Sequence, residues 1–146
     1  MAKPFAFRLQ KVLEYRIQLE DQARMALAQA QARHDSQKRV IADITMRLAV
    51  HVERGFGRHA VQADIWLWTQ YREALDKDLA TAKAELEQLA SILQTRREEA
   101  VLRSRERKLL EKLKERQAKK HHVQESQQEQ KEFDEMATIR HKSQDR

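Results

Sequence analysis

The chain has 146 residues and a net charge of +6, with 36% charged residues, 5% aromatic residues and no Cys. A length of this order suits one domain, and without Cys there is no disulfide framework, thiol nucleophile or thiolate metal site. Two Gly, one Pro and no Asn leave too few turn formers for an ordinary globule. Ala, Gln, Glu, Lys, Arg and Leu dominate instead, the composition of a coiled coil or long helix.

The opening segment, Met1 to Phe5, has no apolar signal-peptide core behind it. No apolar run approaches the ~20 residues of a membrane span. These features lead to the expectation of a soluble, intracellular chain. Pro4 sits where a first helical turn tolerates proline, so the first helix is predicted over about residues 5–53. Within it Leu9, Val12, Leu19, Ala23, Ala26, Ala30, Ile41, Ile44 and Leu48 recur by threes and fours. Such a narrow, sustained stripe is a coiled-coil seam.

The only glycines, Gly55 and Gly57, mark a turn over about residues 54–60. A second helix is predicted over about residues 61–140. Leu75, Leu79, Ala82, Leu86, Leu89 and Leu93 form its seam, and Leu102, Leu109 and Leu113 continue it after a phase shift near Arg96 and Arg97. Two long helices joined by a short turn lie antiparallel. The fold expected is therefore all-α: one coiled-coil domain over residues 1–146, a two-helix antiparallel hairpin with a longer second helix. Pairing outward from the glycines puts Phe5 opposite a residue near Arg107. The second helix then overhangs after about residue 107, leaving roughly 35–40 residues without an intramolecular partner.

No catalytic constellation is present in the sequence. Both glycines are spent at the turn, so there is no phosphate loop. His121 and His122 are neighbours about 100° apart on a helix and cannot chelate one metal together. The reading is of a non-enzyme with no cofactor, no metal and no small-molecule substrate.

Three constellations could carry binding. Trp68, Tyr71 and Leu75 share the seam side, whereas Trp66 points to another face, so one Trp is expected to be exposed near the turn. The alternative is that both tuck under the connection with Phe56. Residues 96–120 hold eleven basic and five acidic side chains, a local excess of +6. A basic helix can track phosphates, but acids at three- and four-residue spacings fit a salt-bridged solvated helix equally. No aromatic is interleaved to stack on bases. In the tail, Phe133, Met136, Ala137 and Arg140 fall on one face, suited to docking in a groove.

Phe5, Phe7, Leu9, Val12, Leu13, Tyr15 and Arg16, followed by an Ala-rich stretch, resemble the start of the FliJ proteins of the flagellar type III export apparatus. Leu113, Glu115 and Arg116, then Gln130, Lys131, Asp134, Glu135, Ala137 and Arg140, resemble that family's C-terminal part. The resemblance covers essentially the whole chain. It implies an antiparallel coiled coil like the γ-subunit stalk of rotary ATPases. It implies a coupling factor and chaperone whose partners are the hexameric export ATPase, FliI-like, the cytoplasmic ring of a FlhA-like export gate, and export chaperones. It also implies a cytoplasmic chain associated peripherally with the inner membrane. Tyr71 and Leu75 fall where the family places apolar gate-binding residues, and Trp66 and Trp68 lie beside them. ATPase contact is expected from Arg103, Arg107, Lys114, Arg116, Lys131, Phe133 and Arg140. Two other functions compete: the equivalent stalk of a virulence secretion system, and a basic coiled coil that binds nucleic acid. No nucleic acid is expected on the leading reading.

Overall fold

The computed structural model describes residues 3–145. Two helices account for nearly all of them, α1 (Gln10–Arg54) and α2 (Gln62–Gln144). The chain divides into two compact units. Unit 2 is Asp21–Val101; unit 1 joins the residues up to Glu20 with those from Leu102 onward.

Unit 2 is an antiparallel hairpin. Partners descend along α1 as they ascend along α2: His51 meets Trp68, Gln37 meets the carbonyl of Ala82, and Gln31 meets Arg97. A shielded stripe runs along α1 through Ala23, Leu27, Ala30, His34, Gln37, Ile41, Ile44, Leu48 and His51, an unbroken alternation of threes and fours. On α2 it runs through Trp68, Leu75, Leu79, Ala82, Leu86, Leu89, Leu93 and Ala100. This is the heptad seam of a coiled coil. Ala30 on α1 borders Leu89 on α2, so a small residue makes room for a large one.

Helix α1 stops because Arg54 is followed by Gly55 at φ 60, whose N–H donates to the His51 carbonyl at 3.2 Å. That bond closes the αL end motif. Gly57 also has positive φ, 84. Helix α2 starts after Val61, whose N–H donates to the Asp64 carboxylate at 3.2 Å. The acid thus satisfies an orphan donor and sits at the positive end of the helix dipole.

Unit 1 is antiparallel too, but its seam is polar. Leu13, Arg16 and Glu20 on α1 and Arg103, Arg107, Leu110 and Lys114 on α2 are its shielded positions. Arg107 Nε donates to Glu20 at 2.5 Å and its Nη1 to Glu111 at 2.6 Å, while Arg16 Nη1 reaches Glu106 at 2.7 Å. Lys114 Nζ donates to Gln10 at 2.8 Å. Ahead of α1 the described residues, 3–9, are not helical. Phe7 is buried, Phe5 tilts against His121 at 5.7 Å, and the Lys3 carbonyl accepts from His121 Nε2 at 2.9 Å.

Three expectations are corrected here. Helix α1 begins at Gln10 rather than near residue 5. No Ser, Thr, Asp or Asn precedes it to cap an earlier start, and Phe5 is committed to a contact on α2. The overhang does not begin at about residue 107, because Arg107, Lys114 and His121 all have partners on the N-terminal segment. The connection spans residues 55–61, close to the turn expected, but the glycines stand at its start rather than its middle, so His51 meets Trp68 and the pairing runs further along α2. The described residues after Glu125 are exposed throughout, and these form the unpaired part. Lastly, the seam does not shift phase at Arg96. It continues through Ala100, Arg103, Arg107, Leu110 and Lys114, while Leu102 and Leu109 face outward at 51% and 68% exposure.

Candidate protein-docking surfaces

At the turn of unit 2 the rings form a stack across the hairpin. Trp68 Nε1 donates to the His51 carbonyl at 3.1 Å, and His51 Nε2 meets the Trp68 carbonyl at 2.9 Å. A carbonyl can only accept, so His51 carries its proton on Nε2. The two rings stack at 4.8 Å, Tyr71 meets His51 edge-on at 4.6 Å, and Phe56 meets Trp68 edge-on at 5.7 Å. Arg72 lies over the Trp68 ring at 5.7 Å, within cation–π range. Tyr71 remains half exposed and borders a shallow groove shared with Met46, Val50 and His51.

The four residues expected at the gate-binding surface therefore separate. Trp68 is a structural ring of the hairpin. Leu75 is buried in the seam and is not available to a partner unless the hairpin opens. Tyr71 presents one edge to solvent. Trp66 is the exposed tryptophan.

In unit 1 the expected basic contacts separate in the same way. Arg103, Arg107 and Lys114 occupy the seam and are paired with Glu106, Glu20 and Gln10. Hydrogen bonds to Glu20 and then Glu111 push the Arg107 guanidinium above its ordinary pKa. Arg116 faces outward, as do Lys131, Phe133 and Arg140 in the unpaired part. Arg116 shares its face with Arg105 and Lys112, around exposed Leu102 and Leu109. Sequence reading missed Arg105 and Lys112 as a set, although Leu102, Leu109 and Arg116 recur every seven residues, the signature of one helix face. It also missed the ion pairs of Glu20 and Arg16, whose positions continue the α1 seam by threes and fours.

His121 bridges the Lys3 carbonyl and Glu125, at 2.9 and 3.4 Å, and His122 is exposed. Among the described residues no group of three His, Asp or Glu could hold a metal. Among them, no helix is long and apolar enough to cross a membrane.

Comparison with known proteins adds one decisive match. The family model described as Flagellar FliJ protein matches residues 5–146. No curated protein and no solved structure matches the chain. The match covers nearly the full length, so the chain belongs to the FliJ family and is a flagellar export-related protein.

Proposed function

We propose that the chain is a non-catalytic coupling factor of flagellar export that docks the export ATPase through unit 1 and the export gate through the turn of unit 2. The single observation that carries this reading is the sorting of the α2 basic residues in unit 1. Arg103, Arg107 and Lys114 are consumed by pairing, whereas Arg105, Lys112 and Arg116 stand outward around Leu102 and Leu109. Exposed leucines within a row of positive charge suit an acidic, partly apolar protein surface. Individually weak exposed ion pairs would hold such a partner without locking it, as a moving coupling element requires. The unpaired tail, with Phe133 and Met136 exposed, would add a groove-docking face. At the turn, Tyr71 and the groove beside Met46 and Val50 give the gate a compact aromatic and aliphatic target.

The test is co-purification with the export ATPase. Reversing Arg105, Lys112 and Arg116 to Glu should abolish capture while helicity stays unchanged, because none of the three holds the hairpin. Truncation after Glu125 should weaken capture. Undiminished capture by the triple variant would defeat the reading of unit 1. Salt-sensitive DNA binding at physiological ionic strength would favour the nucleic-acid reading instead.

A further inference from the structure

The first turns of α2 carry Ile65, Trp66, Leu67 and Trp68 in succession. At about 100° per residue these four side chains cover the whole circumference of the helix. The hairpin uses Trp68. The other three remain exposed, at 39%, 60% and 60%, and so do Val61 and Phe56, the latter between two positive-φ glycines. A helix that is apolar on every side is one surrounded by an apolar medium. A protein docked on the Tyr71 groove covers one side only, since Trp66 lies about 140° round the helix from Tyr71. The apolar collar is also short. Glu73, Asp76 and Lys77 follow it as exposed charges, and residues 65–68 lie within about 10 Å of the start of α2. That matches the ~5–10 Å to which interfacial elements enter a bilayer.

The charges around the collar fit the same medium. Arg54, Arg58 and Arg72 are exposed. The acids beside them are exposed Glu53 and Asp64, the latter accepting from the N–H of Val61, so the three arginines outnumber them. Arginine stems can lie along apolar surface while their heads reach phosphate. Tryptophan concentrates at the headgroup level of membranes. We propose that the turn of unit 2 enters the interface of an anionic bilayer shallowly, with Phe56, Trp66 and Leu67 among the acyl ends of the headgroup region and Arg54 and Arg58 on lipid phosphates. Of these residues only Arg54 also lines the Tyr71 groove; Phe56, Arg58, Trp66 and Leu67 lie outside it.

The experiment uses the full chain with vesicles of phosphatidylcholine, alone or with about a third phosphatidylglycerol. Sedimentation is expected with the anionic vesicles and not with the neutral ones. In Trp68→Phe, where Trp66 is the remaining emitter, lipid should blue-shift the emission, and acyl chains brominated near the headgroup should quench it. Trp66→Ser with Leu67→Ser should lower partitioning roughly tenfold or more at unchanged helicity, since both side chains point outward. Arg54→Ala with Arg58→Ala should remove the preference for anionic vesicles. Failure to sediment with anionic vesicles would overturn the proposal. So would sedimentation undiminished in the Trp66 and Leu67 double variant. Trp66-dependent capture of a purified protein partner, with no vesicle binding, would assign the collar to a protein socket instead.

Discussion

Leu75 discriminates between a residue that holds the hairpin and one that meets a partner. It is 5% exposed and sits in the α2 seam of unit 2. Leu75→Ala removes three side-chain carbons from a nearly closed site. Such changes cost about 2–5 kcal/mol, the spread reflecting how far the surroundings collapse into the space. A two-helix seam has one layer on each side and can close readily, which favours the lower part of that range, about 2–3 kcal/mol. For a chain of this size each kcal/mol moves Tm by about 2–4 °C, so a fall of roughly 4–12 °C is expected. Tyr71→Ala is the internal comparison. Tyr71 is 49% exposed and loses chiefly its edge contact with His51, worth about 0.5–1.5 kcal/mol. Circular dichroism at the helix band, followed through heat and urea, reads both variants. Equal stability of Leu75→Ala and the parent would show that Leu75 does not occupy a seam, and the pairing of unit 2 would have to be redrawn.

The ion pair of Glu20 with Arg107 should behave as a matched set: Arg107→Glu alone should speed amide exchange across residues 10–20, and Glu20→Arg with Arg107→Glu should restore part of the protection. The raised pKa of Arg107 means that its contribution is fully present at neutral and moderately alkaline pH and fades on the alkaline side only as pH rises through the shifted value, so amide exchange of unit 1 should show no Arg107-linked step between neutral and moderately alkaline pH. Gly55→Ala should cost about 1 kcal/mol in urea unfolding, because a Cβ at φ 60 is strained although nothing crowds it. Trp68→Phe keeps the ring stack but loses the bond to the His51 carbonyl and should cost about 0.5–1.5 kcal/mol, read by the same urea titration.

The hairpin of unit 2 was legible in the sequence because its seam is written largely in Leu, Ile and Ala, and counting apolar residues by threes and fours finds it. Unit 1 was not. Its seam positions hold Arg16, Glu20, Arg103, Arg107 and Lys114, whose aliphatic stems pack while their charges pair. A hydrophobic pattern passes over such residues and is drawn to Leu102, Leu109 and Leu113 instead, which produced an apparent phase shift that the helix does not make. Leu75 was given a binding role by the family resemblance, although the heptad of Leu75, Ala82 and Leu89 already placed it inside. The register error had a different cause. The connection has the expected length, but the glycines stand at its start rather than its middle, so every pairing counted outward from them fell short along α2.

Adjacent leucines offer the most direct test of coupling through the outward face of unit 1. Leu109 is 68% exposed, whereas Leu110 is turned toward the seam. A photo-crosslinking amino acid placed at each position in turn, with the export ATPase present, reads the two faces one residue apart. Crosslinks to the ATPase from position 109 and none from position 110 are expected. Equal crosslinking from both, or crosslinking from 110 alone, would contradict the assignment of the outward basic face to that partner.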